Sequence, residues 1–354
     1  MRPILKFVRA LSLAAVVLAT AGHVAGQTPP DKPTFSAKTR TKTALDGAAT
    51  EASILANIEN QKMILDLEDP SRADYPRMIV ALADFYWDLS EIYFRRSQGD
   101  GLEQAIFDAE EANDPAGVAR LKAQQQSLRD QQRAYQDETI AAYRRVIREF
   151  PKAKELDEFR YYLGYNLTAM GEFDQGVAAF QELIRQHPES EFVPDALVNI
   201  GEYYFELNDY ANALKLYEAV DRFPEANILT YAIYKQGWSH YNLGDYEMAL
   251  TKLLEVIKRS QALEAAGARG AYELRKEAEQ ELVYPYSKVG KPSAAIAFFQ
   301  RYAPKRYLEL GANLAQLYTE QTEYQKSNRL LRDLIKAVRN PAPDEKDQRY
   351  MTIR

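Results

Sequence analysis

The sequence predicts an all-α solenoid of antiparallel helix pairs, and three observations carry that expectation. One pattern returns three times through the middle of the chain, with Gly164, Gly201 and Gly237 spaced by 37 and 36 residues. Inside each unit the apolar residues recur at intervals of three and four, the period of one helix face. The turn inside each unit holds Gly or Asn, residues that adopt the left-handed conformation ending a helix.

The elements follow in order. In residues 1–26, Arg2, Lys6 and Arg9 precede an apolar run from Ala10 to Ala21. That run is too short to cross a ~30 Å hydrocarbon layer as a helix, and small residues follow it, so a signal peptide is expected. Its cleavage falls after Ala21 or Gly26, and its loss takes the net charge from −6 to −9. Residues 27–49 carry Pro, Thr, Lys38, Arg40 and Lys42 but almost nothing apolar, and read as a flexible linker. The solenoid is assigned to 50–354. Residues 51–67 should form a leading helix with Ile54, Ile58 and Leu65 inward.

A second helix is expected over 76–97, where Ile79, Leu82, Tyr86, Leu89 and Tyr93 make one seam. Gly99 to Pro115 reads as a loop, followed by one long helix over 116–149 with Val118, Leu121, Leu128, Tyr135, Tyr143 and Val146 inward. Both helices exceed the length of the later ones. A long-helix hairpin with an insertion at 99–136 should therefore project near the N-terminus, its Gln124–Gln126 run solvated.

The three best-formed units are 161–188, 198–224 and 234–257. Glycine inside a helix costs ~1 kcal/mol relative to alanine. Three at equivalent sites therefore predict a partner helix too close for a Cβ. The turns are marked by Gly171, Asn208 and Gly244, each followed by an aromatic plug: Phe173, Tyr210 and Tyr246. The second helices pair a small with a large residue four apart: Gly176/Phe180, Ala213/Tyr217 and Ala249/Leu253. Pro188 and Pro224 stop two of them. Weaker copies follow at 272–300, where Pro285 should kink or end the first helix. A last copy spans 308–336, with Leu314, Ala315, Tyr318, Tyr324, Ser327 and Leu331 in matching places. Residues 346–354 begin another helical pattern.

This order of Leu-Gly, Tyr, Ala, large apolar residue and Pro resembles the tetratricopeptide repeat, a helix pair of roughly 34 residues. The resemblance implies a solenoid that holds another protein in its concave groove. Within that family, the signal peptide, the cysteine-free composition and the repeat layout resemble envelope proteins of Gram-negative bacteria. The adventurous-gliding-motility T type is most similar, over roughly residues 51–354. Periplasmic coordinators of cell-wall synthesis and outer-membrane assembly lipoproteins are more distant, and the lipoproteins are anchored through a Cys absent here.

Chemistry is scarce. Zero cysteines exclude disulfides, thiolate nucleophiles and Cys-based zinc sites. Outside 1–26 only His187 and His240 remain, and no zinc-protease, nucleophile-elbow or dinucleotide motif occurs. Gly290-Lys291-Pro292-Ser293 lacks the parts of a phosphate loop, and Glu277, Glu279 and Glu281 lie at solvated helical spacings. No catalytic residue, metal or cofactor is expected. An acidic chain is also a poor binder of nucleic-acid backbones, and no later segment is apolar enough to span a membrane.

The functional signal lies on the first helices. Three before, one after and four after each glycine stand Tyr161, Tyr165 and Thr168; Val198, Glu202 and Phe205; Tyr234, Trp238 and Tyr241. Six of these nine are aromatic, the residue type concentrated at interaction hot spots. The predicted groove is Tyr161, Tyr165, Glu202, Phe205, Tyr234, Trp238 and Tyr241. Its expected occupant is a segment of an envelope protein in the periplasm. Cell-wall glycan is the alternative, since aromatic faces also stack on sugars.

Overall fold

The computed structural model describes residues 47–99, 101–268 and 270–339. The signal peptide, nearly all of the linker and the pattern after 339 lie outside the described residues. Among those described there are fifteen α-helices, two 3-10 turns and no strand. They fall into two compact units, 47–192 and 193–339.

In the first unit, α1 (Gly47–Leu67) lies against α2 (Tyr75–Gln98). Ile54, Ile58 and Leu65 are buried as their spacing required. The Tyr75 hydroxyl donates to the Leu65 carbonyl at 2.9 Å, and Gln61 Nε2 to the Met78 carbonyl at 2.9 Å. The expected seam of α2 is buried throughout, with Leu89 fully so. Each such side chain contributes ~1.5–3 kcal/mol.

One expectation fails here. Instead of a loop from Gly99 to Pro115, the chain forms a ten-residue helix, α3 (Leu102–Glu111). Gly101, at φ 77°, reverses the backbone before it, and the pair Asn113-Asp114 ends it, Asn113 with φ 52°. Asp114 then caps α4 (Pro115–Glu149) by accepting from the Gly117 amide. This single helix of 35 residues packs along α2. Tyr135 stacks on Tyr93 at 5.6 Å and on Tyr86 at 6.2 Å, while Tyr143 and Val146 are fully buried. Toward Pro115 the burial fades: Val118, Leu121 and Leu128 are half-exposed, and Gln124 and Gln126 are exposed. Gln125 does bond, donating to the Ser97 carbonyl at 2.8 Å.

The first full repeat, α5 (Leu156–Ala169) and α6 (Phe173–Gln186), closes this unit. The second unit holds α7 (Val193–Glu206) with α8 (Tyr210–Ala219), and α9 (Leu229–Asn242) with α10 (Tyr246–Ala265). The three turns are left-handed at Gly171 (φ 82°), Asn208 (φ 60°) and Gly244 (φ 83°). Asp209 and Asp245 cap the helices that follow them.

The helix glycines divide. A Cβ on Gly164 would lie 2.7 Å from the Phe180 ring, and one on Gly201 2.6 Å from the Tyr217 ring. On Gly237 it would lie 3.4 Å from Leu253, an ordinary contact. The close approach comes from a large ring on the second helix, and only two of the three glycines face one.

Further on, α11 (Ala271–Glu281) breaks at Leu282 and α12 (Val283–Val289) resumes. Pro285 accounts for the break, because it has no N–H for the Glu281 carbonyl. α13 (Ala295–Tyr302) buries Ala295 and Phe299. α14 (Tyr307–Glu320) and α15 (Tyr324–Arg339) form the last pair. Here Leu330 is buried and Leu331 is 43% exposed, the reverse of the expectation, and Tyr324 is also exposed. The turn residue is Thr322, a β-branched residue held at φ 61°.

Candidate partner-binding face

The predicted groove residues meet different fates in the two units. In the first, Tyr161 is buried, packed on Phe180 at 5.8 Å and Phe192 at 5.1 Å. It belongs to the core, not to an open groove. Tyr165, stacked beside it at 6.4 Å, keeps 39% of its surface.

In the second unit Val198 and Tyr234 are buried, Tyr234 completely. A side chain with no exposed surface cannot touch a partner, so Tyr234 is also a core residue. Its hydroxyl faces the Glu281 carboxyl, and burial first, then that carboxyl, raises its pKa far above the usual phenol range. Glu202 is committed as well. It accepts from the Tyr217 hydroxyl at 2.6 Å and pairs with Lys235 Nζ at 3.2 Å. Lys235 is itself fully buried, with its ammonium 3.7 Å from the centre of the Phe205 ring. A buried ammonium is tolerable only with such partners. Glu202 and Phe205 therefore neutralise and cover an internal cation.

What stays partly open is an aromatic cluster at the end of α9. Trp238, Tyr241 and Tyr284 are all half-buried, and their ring centres lie 5.6, 6.1 and 6.4 Å apart pairwise. The turn plug Tyr246 joins them, edge-on to Tyr241 at 5.3 Å. The left-handed Gly244 sets the edge of this cluster by letting the Asp245 amide return to the His240 carbonyl at 2.9 Å. Phe205 is half-buried too, edge-on to Tyr210 at 5.1 Å.

Beneath the cluster sits Glu281, 6% exposed, accepting the Trp238 indole N–H at 2.8 Å. Burial pushes its pKa up to about 7; the Tyr234 hydroxyl and the Trp238 N–H oppose that push, the negative Glu277 adds to it, and Lys235 opposes it. Glu279 and Glu281, expected at solvated spacings, are both buried, Glu279 against Arg275, and Glu281, Lys235 and Tyr284 were not among the predicted site residues. The aromatic flanks of Pro285 were the one available signal, masked by the helix break. His240 lies 3.3 Å from Asp245 at the turn, and His187 ends α6. Among the described residues no group of three or more acidic or His side chains is placed to hold a metal ion. No described helix is long and apolar enough to cross a membrane.

The first unit also has an open cavity of about 340 Å³, lined in part by Arg144, Ile147, Arg160, Leu163 and Glu182. None of the predicted groove residues lines it.

Family models of the tetratricopeptide repeat match residues 161–227 and 231–260. No curated protein matches the sequence. Among solved structures, the chain is similar to BtubC from P. vanneervenii, at 17% identity over 62% of this chain and 92% of that one, with a TM-score of 0.34. It is similar to the apo form of RapI at 14% identity over 82% and 97%, with a TM-score of 0.42. The apo quorum sensor NprR from B. thuringiensis is 16% identical over 82% and 83%, with a TM-score of 0.34.

Proposed function

The chain is a tetratricopeptide-repeat protein, and from that premise we propose that it is a periplasmic scaffold holding a segment of another envelope protein. A repeat array of this kind is a protein-interaction scaffold. The location and the kind of partner rest on the basic, apolar and small-residue order of 1–26, on the absence of cysteine, and on the resemblance to gliding-motility T type proteins.

The observation that carries the binding site is the cluster of Trp238, Tyr241 and Tyr284. Three aromatic rings from two helices stay partly open above a buried carboxyl. Such rings combine large apolar area with a polar edge, the chemistry of a hot spot. Phe205 extends the face along α7, and Tyr165 offers a separate contact in the first unit. Tyr161, Glu202 and Tyr234 support the fold behind them.

The test is capture of partners from a periplasmic extract by the wild type, Tyr284→Ala and Trp238→Ala. Each variant should lose ~2 kcal/mol or more of partner affinity. Its thermal shift should stay below that of Tyr217→Ala, whose ring is fully buried. A Trp238→Ala protein that unfolds as readily as Tyr217→Ala makes the cluster core and removes the site. Variants that lose sedimentation with purified cell wall while still capturing protein would favour the glycan reading. Intact mass of the fractionated protein tests the location: a first residue between Gly22 and Thr28 supports it, and a species retaining 1–21 in the membrane pellet overturns it.

A further inference from the structure

We propose that copies of this chain associate head to tail, the outer face of α15 in one copy docking on the outer face of α1 in the next. Eight of the fourteen exposed large apolar side chains among the described residues lie on these two helices. On α15 they are Tyr324, Leu331, Ile335 and Val338, 58%, 43%, 52% and 42% exposed. Spacings of seven, four and three put them in one stripe. The adjoining face of the same helix buries Ser327, Leu330 and Leu334. On α1, Ile54, Ile58 and Leu65 face inward, while Met63 and Leu67, one turn apart, are 61% and 84% exposed. Ala52 and Ala56 are exposed on the same side.

Charge selects the partner. α15 carries Lys326, Arg329, Arg332, Lys336 and Arg339 against a single Asp333. Arg329, Arg332 and Arg339 have no acidic partner among the described residues. α1 carries Glu59 and Asp66 against a single Lys62, and Asp69 follows it, while Glu51 turns inward to Arg96 and Tyr93 and Glu68 pairs with Arg72. Two copies of α15 would repel each other, as would two copies of α1. An apolar stripe with a basic flank fits an apolar stripe with an acidic flank. Helix pairs in a repeat array bury their outer faces on the next pair, and this contact continues that packing between molecules. It is heterologous, so each copy offers one face to a neighbour on either side and can build rings or chains of more than two. The inference is independent of the partner bound at the Trp238 cluster.

Sedimentation of the purified chain over a range of concentrations should show mass rising beyond the dimer, and less so at high salt. Ile335→Glu puts a like charge against α1, and Met63→Lys puts one against α15. Both positions are exposed, so neither change should disturb folding, which circular dichroism checks. Each variant alone should lose about tenfold or more in association constant. Mixed together, they should pair again through their intact contact, and the carboxylate introduced by Ile335→Glu meets the ammonium introduced by Met63→Lys with opposite charge. A wild type that stays monomeric at its highest soluble concentration overturns the proposal. So does association that survives Ile335→Glu, or mixed variants that fail to pair. Association that appears only after removal of residues 340–354 would show that this segment covers the stripe, and would overturn it too.

Discussion

Two helices of this protein carry the same pattern and do different things. On α5 the trio Tyr161, Gly164 and Tyr165 packs against neutral aromatic rings, Phe180 and Phe192. On α9 the matching trio Tyr234, Gly237 and Trp238 stands beside a buried ammonium and over a buried carboxyl, Lys235 and Glu281. A repeat fixes where a side chain starts, but the neighbouring helices decide whether it ends in core or at a surface. α5 closes on its own rings. α9 leaves rings open and places charge beneath them.

The largest effect expected from this contrast is at Glu202. Glu202→Ala strands the Lys235 ammonium and should cost ~3–5 kcal/mol in urea unfolding, against less than ~0.5 kcal/mol for Tyr165→Ala on the other helix. Equal losses would mean that the charge beneath α9 contributes nothing. The glycines give the next effect. Gly164→Ala must displace the Phe180 ring and should cost ~1–3 kcal/mol. Gly237→Ala meets only ordinary contact and should be neutral, or stabilising by up to ~1 kcal/mol through helix propensity.

Glu281 sharpens the comparison further. Its folded pKa of about 7 exceeds the ordinary 4.5, so the folded state holds the proton more tightly between those values. Stability from this group is complete below pH 4.5 and declines as pH rises to about 7, by on the order of 3 kcal/mol at most. Glu281→Gln keeps an acceptor for the Trp238 N–H and should flatten that decline in melting temperature. An unchanged slope would place the titration elsewhere. The smallest effect is at the last turn, where Thr322→Gly relieves a β-branched residue at φ 61°. It should add ~0.5–1 kcal/mol, whereas the same change at Asn208, a residue type suited to that conformation, should add little.

How much of this was legible follows from the range of each interaction. Gly171, Asn208 and Gly244 announced their turns because left-handed backbone restricts residue type. Ile54, Ile58 and Leu65 announced a buried face because helical period is local. α3 was hidden, since Gly99, Gly101 and the Asn113-Asp114-Pro115 run all read as loop and only Leu102 is buried in it. Leu330 and Leu331 were exchanged because α15 is apolar on two adjoining faces. The site was harder still. Lys235 in a helix reads as solvated, and its partner Glu202 lies 33 residues away, within reach only once the repeats have stacked. Tyr284 was hidden by the break at Leu282, which shifts the phase of everything after it.

The long helix α4 has a mechanical consequence. Together with α2, to which Tyr135 and Gln125 tie it, α4 is gripped near Tyr143 and Val146 and loosely held at Val118, so the pair works as a beam fixed at one end. The span from Tyr143 to Val118 is about 38 Å at ~1.5 Å per residue. A tilt of about 5° at the base then swings the free end by roughly 3 Å. A repacking at Tyr143 no larger than a side-chain adjustment would therefore be felt at the tip as the full width of an atom, with no joint between the two.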